Sequence, residues 1–188
     1  VATSEEPGDD PIAEFCRQAG VPCWRGPLGD VARRLLDCAR GHALDAFARV
    51  CGDSPLLDLE LVRRGMAAYW GQRPDFVTNC LPKAYPAGQS VEILRTDALE
   101  TAYARFYKQD HYEHVTAYFY EHQEDFSVCR FTPERGYDGV HLAVDQPRDL
   151  ERLAAVIGRM DRPHWTYGVD ELVRLYGAAG GGRDGEER

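Results

Sequence analysis

Short apolar runs alternate with amphipathic segments through the first half of the chain, and that alternation limits the folds open to it. "VATS" (Val1–Ser4), "VPCW" (Val21–Trp24), Ala46–Val50 and "DFVTN" (Asp75–Asn79) read as strands. Helical patterns lie between them. In the first, Ile12, Phe15, Cys16 and Ala19 follow helical spacing, with Asp10 as N-cap, Pro11 in the first helical position and Gly20 as the stop. The second runs from Leu28 to Arg40 and closes at Gly41. The third, Asp58–Tyr69, puts Leu61, Val62, Gly65, Met66 and Tyr69 on one face. Strand and helix in turn, at such short spacing, build a mostly parallel sheet with helices on both faces.

The second half is mixed. "SVEIL" (Ser90–Leu94), Phe126–Phe131 and Val140–Val144 read as strands. Helices are predicted over Thr96–Tyr107, Tyr112–His122, Pro147–Met160 (stripe Leu150, Leu153, Ala154, Ile157) and Val169–Tyr176. The fold class is therefore α/β: a three-layer α/β/α arrangement around a mostly parallel, mixed sheet with at least one antiparallel strand. One domain spans residues 1–178. Residues 179–188, Gly-rich and charged, read as a disordered tail.

Charge and cysteine usage narrow the function. The 188 residues carry a formal net charge of -9, which opposes general binding to nucleic acid, since phosphates need a basic surface. Six cysteines occur without a C-x-x-C pair, so neither a zinc ribbon nor a redox motif is indicated, and a reducing, cytoplasmic setting is expected. No apolar run reaches membrane-spanning length.

The stretch "RVCGDSPLLD" (Arg49–Asp58) marks a candidate site. Asp53 follows a strand and precedes a helix, and in open α/β sheets ligands sit beyond the carboxyl ends of the strands. Asp145 has the same placing after "VHLAV". Two such carboxylates can share magnesium, which takes oxygen ligands at about 2.0–2.1 Å, keeps waters and accepts substrate phosphates. The competing reading is an ordinary turn, because Asp is favoured in turns and at helix entries.

Five stretches in fixed order carry a resemblance: "VATSEEPGDDPIAEFC", "RVCGDSPLLDLELV", "YPAGQSVEI", "EHVTAYFY" and "HLAVDQPRDLERL". Together they resemble the cytidylyltransferase family that includes spore-coat polysaccharide biosynthesis proteins, over nearly the whole chain to about Met160. The resemblance implies a nucleotide-diphosphosugar-transferase-like fold, with CTP joined to a sugar and pyrophosphate released. It assigns Asp53 and Asp145 to Mg2+. It points to Ser4, Arg25, Asp30, Arg34 and Arg49 as nucleotide or sugar contacts. Lys83 and Tyr85 in the Pro/Gly loop, Glu92, and Glu113 and His114 of "EHVT" join them. Relatives often form homodimers, for which Ser90–Tyr120 is the candidate contact.

The sequence also departs from the family pattern. The resemblance places Val1 at what would be the second strand, so the first strand and the Gly-rich phosphate loop of the family are expected to be missing from this chain. Tyr112 stands for an Arg, Ser90 for an Asp and Ala117 for a Pro. Two alternatives therefore stay open: a non-catalytic interaction module of the same fold, and a glycosyltransferase that uses a nucleotide-sugar. For Arg25, Asp30 and Arg34, a turn and a solvated helix face is the competing reading. His111 and His114 lack the spacing of a transition-metal pair, and His114 is expected to be buried and hydrogen-bonded. "EEPGDD" (Glu5–Asp10) reads as a solvated loop.

Overall fold

The predicted alternation is present in the computed structural model, which describes residues 1–180. β1 (Ala2–Ser4), α1 (Asp10–Ala19), β2 (Trp24–Gly26), α2 (Val31–Gly41), β3 (Ala46–Arg49) and α3 (Leu59–Gln72) follow one another. Then come β4 (Phe76–Thr78), β5 (Glu92–Arg95), α4 (Thr96–Tyr103), α5 (Gln109–Glu113), α6 (Ala117–Glu121), β6 (Val128–Arg130), α7 (Pro147–Ile157) and α8 (Val169–Ala178). The strands form a β1–β2 sheet and a four-stranded sheet in the order β3–β5–β4–β6. The chain resolves into two units: Val1–Phe47 with Leu94–Ser127, and Ala48–Ile93 with the chain from Val128 onward. No helix among the described residues is long and apolar enough to cross a membrane, and all six cysteines are free thiols. Of the tail expected over 179–188, residues 181–188 lie outside the described residues.

In the first unit β1 and β2 pair in parallel, with Thr3 opposite Arg25. β2 starts at Trp24 rather than Val21. Pro22 has no N–H to give a ladder, and Val21 N is spent on Cys16 O at 2.9 Å, closing the end of α1. Gly20 adopts φ +67 at that stop. The expected cap of α1 shifts by one residue: Asp9 is the N-cap position, and its carboxylate reaches back to β1 instead of capping the helix. α2 buries Ala32, Leu36 and Ala39, a stripe at helical spacing, and packs on β1, β2, α4 and α5. The single helix expected over Tyr112–His122 is two short ones. His114 (φ -100, ψ 81) ends α5, and the β-branched pair Val115–Thr116, both buried, separates it from α6.

In the second unit β4 and β6 pair in parallel, Phe76 opposite Val128. α3 lies close to strand residues at Gly65, where a Cβ would meet Val91 and Ile93 at 3.0 and 3.2 Å. Leu61 and Tyr69 share that face, whereas Met66 is turned out, 45% exposed. α7 and α8 pack together over a core of Leu56, Leu142, Leu153, Val156, Tyr167, Leu172 and Tyr176. The buried face of α7 is thus Leu153 with Val156, and Leu150, expected in the stripe, is 61% exposed. The strand expected over Val140–Val144 is reduced to one parallel bridge between His141 and Ala87, since its backbone neighbours are loops and not strands.

Candidate functional site

Two buried amides lock the loops that carry the candidate acids of the second unit. Asn79, at the end of β4, donates to Gln89 O at 2.8 Å and accepts from Val91 N at 2.8 Å. Gln89, wholly buried, accepts from Asp58 N at 2.9 Å and donates to Leu56 O at 2.8 Å. Losing such an amide would strand interior donors and acceptors at about 1–3 kcal/mol each. Asp58 extends the network by accepting from Glu60 N at 2.7 Å and Val169 N at 2.8 Å, which joins the starts of α3 and α8. The turn that holds Asp53 therefore ends on a fixed post.

The segment His141–Asp145 is held by both loops. Leu142 N donates to Ala87 O at 2.9 Å, and Val144 N donates to Asp53 O at 2.8 Å. Gly88 makes the approach possible: at φ +85, a Cβ there would lie 2.4 Å from Leu142 O. The Asp53 turn thus adjoins the residue before Asp145. The Asp53 carboxylate accepts from Ser54 Oγ at 2.8 Å.

Around Asp145 the structure gathers a donor group that sequence reasoning missed. One ligand atom each from His141, Asp145 and Asp149 lies within 4.8 Å of the others, and Asp53 is not a member of the group. His141 Nε2 is 3.1 Å from Asp145 Oδ2 and 3.8 Å from Asp149 Oδ2. Although that Nε2 is buried, it makes no hydrogen bond. Asp149 Oδ2 accepts from the backbone N–H groups of Gln146 (2.8 Å) and Asp145 (3.1 Å). Burial opposes its ionisation, but those two N–H groups, with His141 and Arg148 nearby, outweigh burial and hold its carboxyl below the usual range. Two carboxylates and a misaligned imidazole suit a divalent cation. A signal was available: His141 and Asp149 stand four residues either side of Asp145, and Gln146–Asp149 forms a capping box.

The other second-unit candidates are spread out. Arg49 pairs with Glu92 at 2.6 Å, and the Glu92 side chain is only 5% exposed. Lys83 is exposed. Tyr85, read as a loop residue, is buried: its ring stacks on Tyr137 at 6.0 Å and its hydroxyl accepts from Arg64 at 3.1 Å. Burial pushes its phenol up. It lines a cleft of about 600 Å³ with Arg64, Glu134, Arg135 and Asp170.

In the first unit most predicted contacts serve the fold. Asp9 accepts from Thr3 Oγ1 at 2.7 Å and Ser4 N at 2.8 Å, while the rest of "EEPGDD" is exposed, as expected of a solvated loop. The hydrogen bonds from Ser4 and Thr3 lower its carboxyl to about 2. Arg25 staples the same turn, donating to Ser4 O, Glu6 O and Asp10 at 2.7, 3.0 and 2.6 Å. Asp30 caps α2 through Arg33 N (2.8 Å) and accepts from Tyr103 at 2.8 Å. Arg34 donates to Pro27 O at 2.9 Å, while its Nε is buried without a partner. Glu113 is exposed. His114, expected to be buried, is also exposed, 3.5 Å from Asp110; the buried histidine is His111, 3.1 Å from Glu121. The bend at residue 114 turns its ring outward and leaves position 111 inside an aromatic cluster with Phe106, Tyr107 and Tyr118.

Known proteins are similar to this chain in architecture and in sequence. A cytidylyltransferase from Leptospira borgpetersenii superposes with a TM-score of 0.89 over 98% of this chain and 78% of its own, at 24% identity, so the fold is the same. An uncharacterized protein of Methanocaldococcus jannaschii is 31% identical over 80% of this chain. This chain spans only 62% of that relative's length. The spore coat polysaccharide biosynthesis protein SpsF of Bacillus subtilis is 26% identical over 93% of this chain and 72% of its own. Residues 1–157 match the family model for cytidylyltransferases, and the chain belongs to that family.

Proposed function

We propose that this chain transfers a cytidylyl group from CTP to a sugar, making a CMP-sugar for surface polysaccharide or glycan synthesis in the cytoplasm. The observation that carries the reading is the Val144–Asp53 hydrogen bond, which sets the Asp53 turn beside Asp145 in a chain that matches the family over residues 1–157. In the reaction a sugar hydroxyl oxygen bonds to the α-phosphorus of CTP. The bond from that phosphorus to the bridging oxygen breaks, pyrophosphate leaves, and the hydroxyl proton passes to solvent.

Asp53 and Asp145 would hold magnesium, which supplies positive charge against the phosphate oxygens. The protein's part is to keep those carboxylates in place. Asp149 binds the backbone N–H of Asp145, and Gly88 lets the loop close on Leu142. Exposed Lys83 and Arg64 in the second unit offer cations for the phosphates. Pairing of two copies through Ser90–Tyr120 belongs to the same reading.

The test is calorimetric titration with CTP and magnesium. Wild-type protein binds, and Asp53→Ala loses the magnesium-dependent binding while its circular dichroism is unchanged. Equal affinity in the variant removes Asp53 from the site. Pyrophosphate release, measured across acidic and neutral sugars, then identifies the acceptor class.

A further inference from the structure

His141 is not accounted for by the reading above, which needs only carboxylates. Its Nε2 stands 3.1 Å from Asp145 Oδ2, close enough for a hydrogen bond, yet is out of line to make one. That nitrogen has no accessible surface of its own and so takes no bond from bulk water. A polar atom buried in this way, against two carboxylates, is costly unless something bridges them.

We propose that His141 is an imidazole ligand of the cation at Asp145, and that it makes the centre selective for a divalent transition ion of the Mn2+ type over magnesium. The distances fit such a centre. Cis ligands of an octahedral ion with bonds of about 2.1 Å lie about 3.0 Å apart, and trans ligands about 4.2 Å apart. The His141–Asp145 separation of 3.1 Å matches a cis edge, and the 3.8 Å to Asp149 falls between the two limits. The Asp145 and Asp149 oxygens lie within 4.8 Å of each other, and Asp145, which is exposed, is free to move towards Asp149, which two backbone N–H groups pin.

The donor chemistry sets the selectivity. Magnesium takes oxygen ligands and gives up water reluctantly, so an imidazole adds little to its binding. Manganese shares magnesium's liking for carboxylate oxygen, but as a first-row transition ion it also gains from an imidazole nitrogen, though less than the later ions of the row do. The inference rests on the functional reading only for a cation at Asp145; it requires neither CTP nor Asp53.

The experiment uses the full chain without an affinity tag, labelled with [15N]histidine, and Mn2+ alone as the probe. Titration followed by electron paramagnetic resonance gives the affinity, and spin-echo modulation reports directly bound histidine nitrogen. The expected result is one Mn2+ with one bound nitrogen, competed by Mg2+ only at large excess. His141→Ala should lose the nitrogen signal and weaken Mn2+ by at least about 10-fold, since even supporting residues around a metal cost that much. Asp145→Asn, a substitution at an exposed side chain, should weaken Mn2+ similarly while His141 stays in place. Mn2+ bound without histidine modulation, or with equal affinity in His141→Ala, overturns the proposal. If Mn2+ binds through His141 and Asp53→Ala still binds CTP normally, the ligand assignment stands and the role given to Asp53 falls.

Discussion

Replacing Gly88 by alanine tests whether one close backbone approach builds the candidate site. Two costs combine there. The residue has φ +85, and an L-residue in that region costs about 1–2 kcal/mol. The new Cβ would also lie 2.4 Å from Leu142 O and 2.8 Å from Ala143 N. Both are backbone atoms, so no side-chain rotation relieves the overlap, and overpacking of this kind costs about 1–3 kcal/mol. The sum is about 2–5 kcal/mol. Gly20→Ala provides the control: its φ is +67, but nothing lies within 4 Å of the added Cβ, so only the conformational cost of about 1–2 kcal/mol applies. Urea unfolding of the two variants against wild type isolates the steric part. Gly88→Ala should also weaken cation binding, because Leu142 sits between His141 and the Val144–Asp53 bond. If the two variants agree within about 0.5 kcal/mol, the usual scatter of such comparisons, the argument that the loop needs glycine for contact is wrong.

Asp58→Ala removes the acceptor for two backbone donors at once, Glu60 N and Val169 N, and should cost about 2–4 kcal/mol in urea unfolding; a loss below about 0.5 kcal/mol would show that water replaces the carboxylate. Asp9 sets a pH dependence. Its folded pKa of about 2 lies below the ordinary 3.8, so its contribution is complete above the unfolded value and disappears as pH falls through about 2. Asp9→Asn should accordingly flatten the acid side of the stability profile between those two values, read by urea unfolding at steps of pH, and an unchanged slope would remove Asp9 from the acid response.

The fold was readable because its strongest signals are local. The stop at Gly20 and the alternation of strand and helix from β1 to β4 depend on neighbours a few residues away, whereas the start of α2, expected at Leu28, falls at Val31 behind the Asp30 cap. What failed depended on partners far along the chain. Val21 is the local exception: it reads as strand by composition, but its N–H is taken by nearby Cys16 and its neighbour is proline. Val140–Val144 has strand composition too, yet the backbone beside it belongs to loops at Ala87 and Asp53. Leu150 and Ile157 fit a helical stripe as well as Leu153 does. Which face turns inward was decided by α8, with Tyr176 and Leu172 filling the space over Leu153 and Val156.

The candidate site divides along the same line. Asp53 and Asp145 stand out in sequence because each follows an apolar run and precedes a helix, a pattern that needs no long-range information. The donor group around Asp145 does not stand out in this way. His141 lies inside what looks like a strand, and Asp149 inside a helical start, so each had a complete local explanation. Local sufficiency misled in the opposite direction at Asp9. Three of the four carboxylates in Glu5–Asp10 are exposed as expected, but the Thr3 hydroxyl and the Ser4 N–H converge on the fourth, Asp9. Arg25 shows why a basic residue at a strand end is an ambiguous signal. Its guanidinium donates to Ser4 O, Glu6 O and Asp10, and the same fork that would hold a phosphate here holds a turn. Residue type and strand-end position are equal for both uses. The distinction lies in whether carbonyl oxygens already fill the fork, and only the three-dimensional path of Glu5–Asp10 carries that information.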